Sequence, residues 1–596
     1  MTLKEYLKHN ILVTDGAMGT YFSTMAGTQT TISELANLES PSIIQGIHRA
    51  YIEAGAQLIR TNTFSANTLT LDKSRRDIGI IIKKGFEIAQ SASKEQEVFI
   101  AADIGPVPEM KGNKALDRNF IRNEYIFIVD TFLDLGAENF VFETFSSTDY
   151  IGEITGYIKS KNPHAFILVQ FALNAEGYTR KGISAKRIQS QIKKIPYIDG
   201  YGFNCGIGPA HLYKIIKNLD FSKDIVSALP NSGYPVVINE RTVYTHNPGY
   251  FADKSMDLKN LGIKIIGGCC GTSPTHIKRI SELLITEPIT RPPMPKIFQE
   301  TKPLPVAEPN TFRNKVESGK FVIAAELDPP FSANLDRIIG GARELRDGGV
   351  DIITVADSPM ARPRTDSIMV ASKIKRETGI DAMPHICCRD KNIIALKSSL
   401  LGAYMEDIRN LLIITGDPIP SPERNDIKSV FNLNSMKLME MIDEMNQDLF
   451  AYDPYFFAGA VNLNAYNKDV EWRRLKQKAR AGAGFFLTQP IYTDDAIEYL
   501  KGANGEKDIR ILAGIMPPVS YKNAMFLNNE VPGIDIPRNL IDRFSPDMSR
   551  REGEDIGVEI AVALIDKIKD YVSGIYFIAP FNRTGMITKI IRESLD

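Results

Sequence analysis

The sequence predicts an α/β protein of two (β/α)8 barrels joined by a Pro-rich linker, on three observations. Short apolar runs rich in β-branched and aromatic residues alternate with longer helical stretches, eight such runs fall in each half, and a proline-dense stretch separates the halves. Alternating strands and helices build a parallel sheet covered on both faces, and eight such units per half is the arithmetic of a closed barrel.

The strand runs of the first half are ILVTD (11–15), QLIRTNT (57–63), EVFIAAD (97–103), NFVFET (139–144), FILVQFAL (166–173), DGYGFNC (199–205), DIVSALPN (224–231) and IKIIGGCC (263–270). Those of the second are FVIAAELDPP (321–330), DIITVAD (351–357), MPHICC (383–388), NLLIITGD (410–417), YFFAGAV (455–461), GFFLTQP (484–490), IRILAGIMP (509–517) and SGIYFIAP (573–580), with helical stretches such as 471–484 between them. Most runs are continuously apolar, as strands buried on both faces must be. Periodicity does not see closure, so a doubly wound sheet is the alternative; the absence of G-x-G-x-x-G after the first strand of either half weighs against it. The predicted organisation is a barrel over 1–286, a linker over 287–311 and a barrel over 312–596. Within the linker, EPITRPPMPKIFQETKPLPVAEPN lacks apolar periodicity, and its prolines favour extended chain.

Composition narrows the class. At 596 residues the chain is too long for one ordinary core; it is 43% hydrophobic and 24% charged, as soluble globular proteins are. Lys and Arg number 71 against 72 Asp and Glu, which gives no overall basic field for nucleic acid or an anionic membrane. No run approaches the ~18 apolar residues of a membrane span. The opening MTLKEYLKHN lacks a secretory signal, so a cytoplasmic protein is expected.

Barrel enzymes gather their chemistry where strands end at the C-terminal rim. Polar residues fall there in both halves: Asp15, Asn62, Glu143, Asn204 and Cys205, then Glu326, Asp357, His385, Asp417 and Gln489. Helix capping is the competing explanation for each. Cys205 ends the sixth run, and Cys269 and Cys270 end the eighth. Three thiolates with one open position suit a catalytic zinc, and a thiol taking that position would ionise and stay nucleophilic, which points to alkyl transfer to sulfur. Glu326, leaving a buried strand, suits a general acid, with a solvated loop acid as the competing explanation, and the amide of Gln489 suits hydrogen bonding to a heterocycle. His385, Cys387 and Cys388 are read as packing residues, because alternate strand residues point to opposite faces.

DGAMGT (15–20), TNTFSAN (61–67), FET (142–144), GFNCG (202–206) and GGCCGT (267–272) resemble the homocysteine S-methyltransferase family across the whole first half. The resemblance implies zinc held by Cys205, Cys269 and Cys270, substrate-lining positions at Asp15, Gly16 and Glu143, the last pairing with the substrate amino group, and Asn204 as a pocket neighbour. It leaves methylfolate, S-methylmethionine and S-adenosylmethionine open as methyl donors.

ELDPP (326–330), ITVADS (353–358), HICCRDKN (385–392), LLIITGDP (411–418), KQKARAGAGFFLTQPIY (476–492) and GIMP (514–517) are similar to methylenetetrahydrofolate reductase over nearly all of 312–596. This resemblance implies FAD bound in a barrel, Glu326 as the acid that opens the methylene-bridged folate, Gln489 on the folate, and Thr354, His385, Gly416, Asp417, Glu471 and Lys478 around FAD. NADH or NADPH would be the cosubstrate. Two departures stand out: Thr415 occupies a position where many members carry arginine, and 458–464, read as a loop, lacks an aromatic.

Together the resemblances imply a bifunctional one-carbon enzyme acting on small molecules: methyl transfer to homocysteine giving methionine, and NAD(P)H reduction of 5,10-methylenetetrahydrofolate to 5-methyltetrahydrofolate. Homo-oligomerisation is left open. The alternative is a different thiol or betaine-type methyltransferase fused to a folate-binding or regulatory reductase-like barrel.

Overall fold

The computed structural model describes all residues except 27–31, 112–113, 239–240, 245, 287–308, 420–426, 466, 504–508, 532 and 596. The chain divides into two compact units, Met1–Ile297 and Phe298–Asp596. Up to residue 308, the predicted linker lies outside the described residues.

In the first unit β1 (Leu12–Val13), β2 (Leu58–Arg60), β3 (Phe99–Ile104), β4 (Asn139–Phe145), β5 (Phe166–Phe171), β6 (Gly200–Asn204), β7 (Val226–Leu229) and β8 (Ile265–Ile266) pair in the order β1-β8-β7-β6-β5-β4-β3-β2. The ring closes where Thr14 bridges Leu58: Gln57 donates its N–H to Val13 O (2.8 Å), and Asp15 donates to Leu58 O (3.0 Å). The continuous apolar runs divide by parity. Leu58, Ala101, Val141 and Leu168 fill the barrel interior with Leu3 and Leu7 of α1 (Leu3–His9), while Ile59, Ala102, Phe140, Phe142 and Ile167 pack with the outer helices. Both faces of each strand are thereby desolvated, which is why the runs do not alternate.

The second unit is a closed barrel of β9 (Val322–Leu327), β10 (Ile352–Val355), β11 (Asp381–Cys387), β12 (Asn410–Ile414), β13 (Phe456–Val461), β14 (Phe485–Pro490), β15 (Ile511–Ile515) and β16 (Gly574–Ile578). Its core is also joined by a short helix, α2 (Thr311–Glu317), whose Phe312 and Val316 pack with Phe456 and Phe485. Asn310 caps α2 by accepting from Arg313 N–H (2.9 Å) and donates to Asn410 Oδ1 (2.9 Å). Residues 310–311, read as linker from sequence, therefore bond into this barrel.

Three local expectations shift. The helix expected over 471–484 is α3 (Lys468–Arg480), started by an Asn467 cap and stopped before Gly482, whose φ of +101° no helix accommodates. The segment read as a loop from 458 is β13 through Val461. An antiparallel hairpin of Pro235–Ile238 with Arg241–Tyr244 follows β7, where no element was expected. Among the described residues no helix is long and apolar enough to cross a membrane.

Candidate active sites at the two barrel rims

In the first barrel Cys205 follows β6, while Cys269 and Cys270 follow β8. Their sulfurs lie within 4.8 Å of one another, the only such group of His, Cys, Asp or Glu found among the described residues. The Cys205 and Cys270 sulfurs are 3.7 Å apart, which matches an edge of about 3.8 Å for a tetrahedron with metal–sulfur bonds of about 2.3 Å. The backbone makes this possible in two ways. Cys205 adopts φ +56°, a conformation non-glycine residues rarely take, which turns its thiol off the strand direction. At Gly267 a Cβ would fall 2.0 Å from Thr14 Oγ1, just after β1, and at Gly268 2.4 Å from Thr272 Oγ1 of the following turn, so glycine is needed at both.

Electrostatics asks for a cation here. Hydrogen bonds from the Cys269 and Cys270 thiols pull the Cys205 thiol down to about 3, whereas the Cys269 and Cys270 thiols are pushed up, first by their hydrogen bonding with Cys205. One thiolate forms readily; three in one buried pocket require a positive ion. The donor set and its spacing fit zinc.

Beside the thiols lies a buried charge network organised by Arg60. Its N–H and Nε donate to the two Asp15 oxygens (2.8 Å each), Nη1 donates to Glu143 Oε2, and Nη2 donates to Gly16 O (2.8 Å) and Gly268 O (3.1 Å). Arg60, Asp15 and Glu143 are 6%, 2% and 8% exposed. Both Asp15 oxygens are therefore bonded to Arg60, while Glu143 keeps Oε1. Asn204 bonds Thr144 twice, accepting from its N–H (2.9 Å) and donating to its Oγ1 (2.8 Å). Thr144 sits at φ +65°, where the β4–β5 register shifts between Phe142 and Phe145. Asn204 thus locks the kink immediately after Glu143.

In the second barrel Glu326 is pushed up to about 7, chiefly by burial, then by the charge of Asp328, against a hydrogen bond from Tyr576. Tyr576 Oη donates to Glu326 Oε2 across the β9–β16 pair. His385 Nε2 stands 3.5 Å from Glu326 Oε2; burial lowers this imidazole to about 3, so it is neutral. His385 Nε2 is buried without a hydrogen-bond partner, and the buried Thr354 hydroxyl lies beside Tyr576. Gly416 takes φ +94°, and a Cβ there would meet Cys387 Sγ at 2.1 Å. Asp417 is exposed and accepts from Met360 N–H (2.7 Å). Glu471 Oε1 accepts from Asn462 N–H (3.1 Å), Lys478 donates to Ala460 O, and together they fasten α3 to the end of β13. Gln489, at the end of β14, lies beside Gly533. Cys387 and Cys388 are buried, the former directed at Thr415 O (3.6 Å).

None of the ten polar strand-end residues caps a described helix. Asn62 and Asp357 instead tie loops: Asn62 Nδ2 donates to Ser33 O (2.6 Å) and Asn37 Oδ1 (2.9 Å), and Asp357 Oδ2 accepts from Cys387 N–H (3.1 Å). Sequence reasoning missed Arg60, a charge inside the apolar run QLIRTNT that a closer reading of the run would have flagged. It missed Asn231, whose side chain hydrogen-bonds Cys205, Tyr576, which reads as an ordinary strand tyrosine, and Arg389. The buried Arg389 guanidinium donates to Asp417 O (3.1 Å) and Ser358 O (3.3 Å), placing a cation under the loop that carries Thr415.

Two parallel barrels, one rimmed by three convergent thiols and the other by a buried carboxyl, define a two-barrel α/β enzyme. The chain matches the family Homocysteine S-methyltransferase over residues 12–284 and the family Methylenetetrahydrofolate reductase over residues 311–595, and carries one domain of each. It is similar to the methionine synthase of Mycobacterium leprae (strain TN), 27% identical over 303 residues, 47% of this chain and 25% of that protein. The methionine synthase of Mycobacterium tuberculosis (strain ATCC 25618 / H37Rv) is 27% identical over 300 residues, with the same shares. The chain thus spans about a quarter of the length of these relatives. Among solved structures it is similar to the homocysteine methyltransferase of Escherichia coli in metallated form, at 22% identity and a TM-score of 0.39, covering 46% of this chain and 96% of that one.

Proposed function

We propose that this chain is a bifunctional one-carbon enzyme of the cytoplasm. The first barrel methylates homocysteine to methionine at a zinc held by Cys205, Cys269 and Cys270. The second reduces 5,10-methylenetetrahydrofolate to 5-methyltetrahydrofolate with NAD(P)H and FAD. The observation that carries the reading is the convergence of three thiols from two distant strand ends, beside a buried carboxylate with one oxygen free.

Zinc, when bound, supplies the positive charge that keeps an incoming thiol ionised and nucleophilic near neutrality. The protein's share is placement. Arg60, clamped by Asp15 and the Gly16 and Gly268 carbonyls, aims Glu143, whose free Oε1 takes the substrate ammonium; Asn204 holds the kink that keeps Glu143 in position. In the second barrel the buried, unpartnered His385 Nε2, with the buried Thr354 hydroxyl and the close backbone at Gly416, fits a polar cofactor edge. FAD, when bound there, supplies hydride chemistry that no side chain can. Glu326, accepting from Tyr576 at Oε2, carries its proton on Oε1 and delivers it to the folate nitrogen as the methylene bridge opens. Gln489 orients the pterin.

Metal analysis and a visible spectrum of the purified protein, with a donor panel for homocysteine methylation, test the proposal. One zinc and one flavin per chain are expected, with Cys269→Ala losing the zinc and the methylation together. Methylation that persists in metal-free Cys269→Ala protein would overturn the first half.

A further inference from the structure

We propose that Asp103 is a second carboxylate for the substrate ammonium in the first barrel, acting beside Glu143; this rests on the methyltransferase reading above. Asp103 lies near the end of β3, two residues after Ala101 of the barrel interior, so strand alternation turns it inward as well. It is 5% exposed, and its Oδ1 has no hydrogen-bond partner. Its backbone is pinned, the N–H donating to Thr61 Oγ1 (3.0 Å) and the carbonyl accepting from Thr63 Oγ1 (2.8 Å). The backbone is thus fixed while Oδ1 is left buried without a partner.

Arg60 acts on Asp103 by charge and donates it no hydrogen bond. Arg60 directs Nε to Asp15, Nη1 to Glu143 and Nη2 to two carbonyls. Asp15, Asp103 and Glu143 therefore share one guanidinium, and a buried acid without a cation is costly. Burial, then the charge of Glu143, raises the Asp103 carboxyl well above the usual carboxylate range. A ligand with three N–H donors and a positive charge answers this arrangement: an ammonium can bond Glu143 Oε1 and Asp103 Oδ1 together and repay the ionisation of Asp103. The site therefore selects an amino thiol over a thiol that lacks the amine.

Calorimetry on zinc-loaded full-length protein tests this with two probes, homocysteine and 4-mercaptobutyrate, which keeps the thiol and carboxylate but has no amine. Asp103→Ala should weaken homocysteine binding by about 10- to 100-fold, the span of a hydrogen bond to a charged group, and leave 4-mercaptobutyrate binding unchanged; Asp103→Asn, which keeps the shape, should follow the same pattern to a lesser degree. Unchanged homocysteine affinity in both variants overturns the proposal, as does an equal loss for both probes, which would mark Asp103 as a scaffold residue. Wild-type protein that binds neither thiol sinks the methyltransferase reading itself, an outcome distinct from failure in the variants alone.

Discussion

Glu326 shows how one environment sets one acid. Burial and the charge of Asp328 hold its carboxyl near pH 7, and the Tyr576 hydroxyl works in the opposite direction by favouring the carboxylate. In the proposed reductase Glu326 acts in its proton-donating form, so the rate should fall as pH rises through about 7. Tyr576→Phe removes the bond that lowers this pKa, and the alkaline limb should move upward; a limb that stays in place would deny Tyr576 its tuning role. Glu326→Gln should lower reductase kcat by about 10²- to 10⁴-fold, the usual worth of a general acid. Stability follows the same sign: a carboxyl raised from 4.5 in the fold supports it fully below that pH and loses the contribution as pH climbs to about 7. The position of Glu326 at the end of a buried strand was legible in ELDPP. Tyr576 was not, because a tyrosine that reaches an acid on the neighbouring strand becomes visible only once β9 and β16 are paired.

At the scale of elements the sequence spoke most clearly where burial repeats. All sixteen strand runs form strands, since each must desolvate two faces and leaves a continuous apolar signature. The kinks at Thr144 and Cys205 left no such trace: a side chain two strands away, Asn204, supports the first, and both depend on tertiary contacts rather than propensity. Arg60 is the junction between these levels, a strand residue whose guanidinium makes four hydrogen bonds at β1, β4 and β8. Arg60→Leu leaves Asp15 and Glu143 buried without a cation, and should cost about 3–5 kcal/mol of first-barrel stability. Arg60→Lys should recover only part of this, since one ammonium cannot reproduce the planar fork. Urea unfolding followed by circular dichroism measures both, and an Arg60→Leu midpoint equal to wild type would show that the network contributes nothing.

The whole molecule contains the same device twice: a parallel barrel whose core is completed by a short preceding helix, α1 with Leu3 and Leu7 or α2 with Phe312 and Val316. Each unit has its own core and its own rim residues, so each should fold and bind its cofactor alone. The cut matters. Starting the second unit at 312 would delete the Asn310 cap and Thr311, whose Oγ1 donates to Asp381 Oδ2 (2.9 Å), whereas starting at 309 keeps both. We expect 1–286 to bind one zinc and methylate homocysteine, 309–596 to bind flavin and reduce methylenefolate, and 312–596 to be the less stable of the two second-unit fragments. Trp472, the single tryptophan, lies on α3 and reports the second unit only, so its fluorescence should follow unfolding of 309–596 as it does in the full chain. A zinc chelator should abolish methylation while leaving flavin content and that fluorescence transition untouched. Loss of flavin on chelation, or failure of 309–596 to fold, would show that the two barrels depend on each other and that each core is incomplete by itself.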